Sequence, residues 1–200
     1  MTKSNQIKQL RIIAGHLRGR KIYFNTNNLE LRPTLDRLRE TVFNWLMPYV
    51  QGSICLDLFA GSGIFGFEAY SRGAKFVTAV EYNYDTHQDI LQNKLKLNIS
   101  DQEFTIINQD ALLFLANIKK IQFNLIFLDP PYNIDQTLLL TSIKLLVTNN
   151  LLAKNSKIYI ETREQSKTFT ETLDKMQLKL IKFSKTNKIY FCLYEFNQFK

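Results

Sequence analysis

Two short stretches combine residue types at spacings that could do chemistry. The first runs Asp57-Leu58-Phe59-Ala60-Gly61-Ser62-Gly63-Ile64-Phe65-Gly66, a glycine-rich turn joining an apolar strand to a helix, which is where open α/β sheets bind ligands. Gly61, Gly63 and Gly66 satisfy the dinucleotide fingerprint, and Glu81, twenty residues after Gly61, stands where a ribose-binding acid belongs. Asp57, four residues before the first glycine, argues against a pyrophosphate, which it would repel. It suits a cationic sulfonium amino acid instead, the chemistry of S-adenosylmethionine; a plain structural turn and a nicotinamide site are the other readings. Asp110, in NQDALLF, is placed to meet an adenine amino group beside the Ala111 N–H, to cap the helix that starts there, or to do both. The second stretch is Asp129-Pro130-Pro131-Tyr132, directly after the run FNLIFLD. Consecutive prolines stiffen the turn, so the Asp129 side chain and the Pro130 carbonyl become fixed acceptors while Tyr132 offers a stacking face. Those are the parts needed to hold an exocyclic amine of a base for attack on a methyl group, with Asp129 taking a proton late or only polarising the N–H.

Positioning these groups requires a scaffold, and the chain supplies one by alternation. From residue 53 strand-like runs (SICLDLF, KFVTAVE, FTIINQD, FNLIFLD, KIYIET) alternate with helical ones (GIFGFEAYSRG, YDTHQDILQNKLKLN, ALLFLANIK, IDQTLLLTSIKLLVTN). That order predicts a mostly parallel sheet with helices on both faces. After a helix near residues 164–176, LKLIKFS and KIYFCLYEF, joined by a short turn, predict an antiparallel hairpin at the sheet edge. Before the alternation, RPTLDRLRETVFNWLM reads as a helix capped by Thr34, with Leu38, Val42, Trp45 and Leu46 on its apolar face and Arg37, Arg39 and Glu40 on the others. The first thirty residues read as a short basic strand pair, LRIIAG and HLRGRKIYF, with turns at Gly15 and Gly19, an appendage outside the core. The domain division expected is therefore a basic hairpin extension over 1–30 and a catalytic domain over 31–200.

Composition narrows the function further. The 200 residues carry a net charge of +8, and residues 1–40 hold nine Lys/Arg against three acids. So local a positive field suits a polyanion, nucleic acid first. Cys55 and Cys192 lie within apolar runs, which reads as buried thiols in a reducing compartment, and two histidines are too few to suggest a metal set; no metal is expected. No long apolar run or export signal stands out, so the expectation is a cytoplasmic protein with no membrane partner, and a monomer.

The whole chain resembles the RsmD family of 16S ribosomal RNA guanine-N2 methyltransferases, within the Rossmann-like class I methyltransferases. The blocks that carry the resemblance are RIIAGHLRGRKI (11–22), LRPTLDRLRETVFNWL (31–46), LDLFAGSGIFGFEAYSRGA (56–74), VEYN (80–83), Asn93 and LDPPYN (128–133). The Arg-Pro-Thr block discriminates, because the other two motifs also occur in adenine-N6 methyltransferases. The resemblance implies a seven-stranded sheet and methyl transfer from S-adenosylmethionine to N2 of one guanine in 16S rRNA of the small ribosomal subunit. It implies a cofactor set of Asp57, Phe59, Gly61, Ser62, Gly63, Glu81, Tyr82, Asp110 and Ala111, and a catalytic set of Asp129, Pro130, Pro131 and Tyr132. Arg11, Arg18, Arg20, Lys21, Arg32, Arg37 and Arg39 would then bind RNA phosphates. An adenine-N6 methyltransferase and a noncatalytic RNA-binding assembly factor are the alternatives.

Overall fold

The computed structural model describes residues 7–25, 34–131, 136–163, 166–186 and 189–197. Its central sheet contains β3 (Ile54–Asp57), β4 (Phe76–Glu81), β5 (Phe104–Asn108), β6 (Phe123–Leu128), β7 (Leu152–Thr162), β8 (Leu178–Thr186) and β9 (Ile189–Phe196), ordered β5-β4-β3-β6-β7-β9-β8. The first five of these run parallel, and β9 pairs antiparallel with both β7 and β8. This is the mostly parallel sheet with an antiparallel edge that the alternation predicts, with the seven strands that the resemblance implies. The order reverses between β3 and β6, so their carboxyl ends open a crevice at the switch point, where ligands bind in such sheets.

Strand alternation divides the core in two. Cys55, Leu125, Phe127, Tyr159 and Leu193 face one layer with α1 (Thr34–Val50), α2 (Ile64–Ser71) and α3 (Tyr84–Lys96). Leu56, Ile126, Leu128, Ile158 and Ile160 face the other, with α4 (Ala111–Asn117), α5 (Gln136–Thr148) and α6 (Lys167–Lys175). The strands are apolar on both faces because both are covered, which is why they read as continuous apolar runs. Cys55 and Cys192 are buried free thiols, and burial pushes them up to about 12 and about 11, so both stay protonated.

Local differences from expectation have physical causes. α1 continues through Pro48 to Val50; the proline sits in the last turn beside exposed Met47 and Tyr49, so the hydrogen bond it removes is one at the helix end. β7 starts five residues before KIYIET, with Asn155 at φ 59° where its register against β6 shifts; a left-handed residue marks this irregularity, and asparagine tolerates it.

The N-terminal strand pair, β1 (Ile7–Arg11) and β2 (Lys21–Asn25), forms as an antiparallel hairpin. It is not peripheral to the core, however. Ile12 and Ile22 are fully buried with α1 and α2, and backbone groups tie the hairpin down on two sides. The Asn93 side chain on α3 accepts from the Tyr23 N–H (2.8 Å) and donates to the Tyr23 carbonyl (2.6 Å), imitating a neighbouring strand. At the other side Ser71 receives the His16 N–H on its carbonyl (2.8 Å) and the Leu17 N–H on its hydroxyl (3.0 Å).

Candidate active site and nucleic-acid face

β3 ends at Asp57, and the chain turns through Gly61 (φ 53°) and Gly63 (φ 74°) before α2 begins. Left-handed geometry at both positions is what glycine permits without strain. Gly66 serves a different purpose: a Cβ there would come within 2.9 Å of the Phe104 ring, so glycine lets α2 lie close on the sheet. One Asp57 oxygen accepts the Gly66 N–H at 3.0 Å, which fixes the carboxylate across the turn. Glu81, at the end of β4, accepts the Gly61 N–H (2.8 Å) on one oxygen and the Asn83 N–H (2.7 Å) on the other. A carboxylate has about four acceptor sites, so Glu81 can accept a ligand hydroxyl as well. Asp110, after β5, accepts the N–H groups of Leu112 (2.9 Å) and Leu113 (3.0 Å), so the capping role exists and orients the carboxylate. Phe59 is half-buried, Ser62 and Ala111 are buried, and Tyr82 is 77% exposed at the rim.

Asp129, Pro130 and Pro131 follow β6 directly, with Asp129 and Pro130 half-buried and Pro131 exposed. Asp57 pairs in register with Phe127, and the Leu58 N–H donates to the Phe127 carbonyl at 3.2 Å, so the acidic turn and the glycine turn leave neighbouring strands side by side. Tyr132 lies outside the described residues.

Electrostatically the crevice is a concentration of acids. Burial pushes Asp57 up to about 7 against the Gly66 hydrogen bond, and the charge of Glu81 adds to the rise. Burial also raises Glu81, and it raises Asp129 well above the carboxylate range, helped by the charges of Glu161 and then Asp57. These acids repel one another and lie where water solvates them poorly. A cation in the crevice would relieve that repulsion, so the donor set fits a sulfonium amino acid and opposes a pyrophosphate. Glu161, buried on β7, is a member of this group that the sequence reading did not single out. Its signal is faint: an acid near the end of an otherwise apolar strand.

The basic hairpin presents a different surface. Arg11, Arg18, Arg20 and Lys21 are exposed, as is Arg37 on α1. Arg32 lies outside the described residues. Arg39 corrects the expectation: it is 1% exposed and turned inward, donating to the Arg11 carbonyl (3.1 Å), pairing with Asp36, and lying 3.6 Å from Glu68, which is fully buried. Glu68 in turn accepts the Ile13 N–H at 2.6 Å and pairs with Arg72 at 3.2 Å. Arg39 therefore braces the basic hairpin from behind; its guanidinium is not available to a phosphate. A helical wheel assigns it to a polar face, but the hairpin covers that face.

Comparison with known proteins places the chain. A family described as Conserved hypothetical protein 95 matches residues 10–195. Ribosomal RNA small subunit methyltransferase D of Haemophilus influenzae is 45% identical over 163 residues, covering 81% of this chain and 83% of that protein. The Escherichia coli protein of the same name is 40% identical over 158 residues, covering 79% and 77%. A solved structure of the Escherichia coli protein yhhF superposes with a TM-score of 0.80 at 34% identity, covering 95% of this chain and 99% of that one.

Proposed function

From the premise that the chain belongs to the RsmD family, with relatives named ribosomal RNA small subunit methyltransferase D, we propose that it transfers a methyl group from S-adenosylmethionine to the exocyclic N2 amine of one guanine in 16S rRNA. The substrate is the small ribosomal subunit or an assembly intermediate, and the protein acts as a cytoplasmic monomer. No helix among the described residues is long and apolar enough to cross a membrane. The observation that carries the reading is the pairing of β3 with β6, which puts an acidic proline turn beside a glycine turn of matching charge preference.

S-adenosylmethionine supplies an electrophilic methyl on a sulfonium centre. Asp57 and the backbone of Gly61 and Gly63 hold the amino-acid end, Glu81 accepts from the ribose hydroxyls, and Asp110 with the Ala111 N–H meets the adenine; Phe59, Ser62 and Tyr82 line the same site. The target amine is a weak nucleophile because its lone pair is delocalised into the ring. Asp129 and the Pro130 carbonyl accept its two hydrogens, which favours a tetrahedral nitrogen with its lone pair aimed in line at the methyl. Pro131 contributes stiffness and, like Pro130, brings no competing N–H donor. Transfer would break the sulfonium S–CH3 bond and release a neutral thioether, and Asp129 would take the proton that the methylated amine must lose; its raised pKa makes it a better proton acceptor than an ordinary carboxylate. A guanine within a helix is out of reach, so the target is looped or extruded and stacks on Tyr132. Arg11, Arg18, Arg20, Lys21, Arg32 and Arg37 bind backbone phosphates.

Asp129→Ala separates catalysis from a purely binding role. The expected outcome is a loss of methyl transfer of about 10²-fold or more, with RNA affinity unchanged in a filter-binding assay. Unchanged transfer would remove Asp129 from the mechanism.

A further inference from the structure

Two acceptors suffice for an amine with two hydrogens, and the turn after β6 supplies both, yet a third acid stands beside them. Phe127 on β6 pairs in register with Tyr159 on β7, and both face the layer that contains α1 and α2. Two residues further on come Asp129, just past the end of β6, and Glu161 on β7, and the charge of Glu161 acts on Asp129. Glu161 is 4% exposed, and the Tyr159 hydroxyl donates to its Oε2 at 3.3 Å, which orients the carboxylate. A carboxylate has about four acceptor sites, so Glu161 can take a ligand's donor besides the Tyr159 hydroxyl.

The Watson–Crick edge of guanine brings such donors. Its N1–H lies beside the N2 amine, so the edge offers three hydrogens in a row and no acceptor between them. Glu161, Asp129 and the Pro130 carbonyl are three neighbouring acceptors, and neither proline contributes an N–H. Adenine presents two amine hydrogens next to an N1 lone pair, which a carboxylate would repel. The amine-binding turn alone accepts either base; the added acceptor does not.

We propose that Glu161 reads the target base as guanine by accepting its N1–H while Asp129 and Pro130 hold the amine. This rests on the guanine-N2 reading above and assigns the base selectivity to one residue on β7.

The test compares wild type, Glu161→Gln and Glu161→Asp on unmodified small subunits, measuring kcat/KM for the subunit, KM for S-adenosylmethionine, and the methylated nucleosides after digestion. An amide presents one acceptor and a donor in place of the carboxylate. Glu161→Gln should lower subunit kcat/KM by about tenfold or more, keep the cofactor KM within about twofold, and raise the share of N6-methyladenosine among the products. Wild-type kcat/KM in Glu161→Gln, or a cofactor KM that rises in step with the loss, overturns the assignment. If Glu161→Gln does not fold, Glu161→Asp decides: it keeps the charge but withdraws the acceptor, so a selective loss on the RNA side supports the proposal and a wild-type rate overturns it. Wild type that forms N6-methyladenosine and no N2-methylguanosine would overturn the guanine-N2 reading itself, a separate failure.

Discussion

Asp57 shows how far a single side chain ties binding to stability. Its pKa is about 7 in the folded protein, chiefly through burial, and about 3.9 in an unfolded chain. Between those values the folded state holds a proton that the unfolded state has released, so stability falls as pH rises through the window and levels off above it. Asp129 and Glu81 shift in the same direction and add to the slope. Asp57→Asn removes one contribution while its amide oxygen still accepts the Gly66 N–H. Without cofactor, the variant should lose less Tm than wild type between pH 5 and pH 8, and at pH 8 it should be more stable by roughly 2–4 kcal/mol. Parallel Tm profiles for the two proteins would contradict this. Binding of S-adenosylmethionine should weaken in the variant, so its stability gain accompanies a functional loss. Individual residues were unevenly legible in the sequence. Asp110 was readable in both its roles because capping is local. Arg39 and Glu161 were not, since what turns each inward lies on an element distant in sequence: the Arg11 carbonyl and Glu68 for one, the Asp129 turn after β6 for the other.

The hairpin and α2 form the joint that fixes the basic surface relative to the glycine turn. Gly15 and Gly19 share a φ near +85° (85° and 84°), but a Cβ on Gly15 would lie 1.8 Å from the Ser71 carbonyl oxygen, whereas one on Gly19 meets nothing within 4 Å. Gly19→Ala bears only the left-handed penalty, about 1–2 kcal/mol. Gly15→Ala must in addition push the turn off α2. Its Tm should fall by at least twice as much as that of Gly19→Ala, and hydrogen exchange at His16 and Leu17, whose N–H groups bond to Ser71, should accelerate. Equal Tm losses would mean that the turn is not seated on α2. The strands and helices of the sheet were legible because their periodicities are distinct and their turns carry glycine or capping residues. The seating of the hairpin was not, because Asn93 and Ser71 act through backbone groups that pattern reasoning does not see. Its trace in the sequence is the set of apolar residues within a basic segment, of which Ile12, Ile22 and Phe24 are buried.

At the scale of the whole molecule, acids line the crevice at the carboxyl ends of the strands, and the hairpin carries a separate cluster of exposed cations, Arg11, Arg18, Arg20 and Lys21. The acids suit a cationic cofactor and a hydrogen-rich base edge, while the cations suit a phosphate backbone, so the two fields divide the proposed work. Replacing Arg18 and Arg20 with Ala should therefore weaken RNA binding, reduce the dependence of log K on log salt by about one per residue, and leave S-adenosylmethionine affinity unchanged. An unaltered salt slope would put the RNA on another face. The proposed reaction is tested most directly by offering labelled S-adenosylmethionine with unmodified small subunits, deproteinised 16S RNA and DNA in parallel, then identifying the labelled nucleoside. Label in N2-methylguanosine from the ribosomal substrates, and none in DNA, is the predicted result. Label in N6-methyladenine, or none in any substrate, would contradict the assigned reaction.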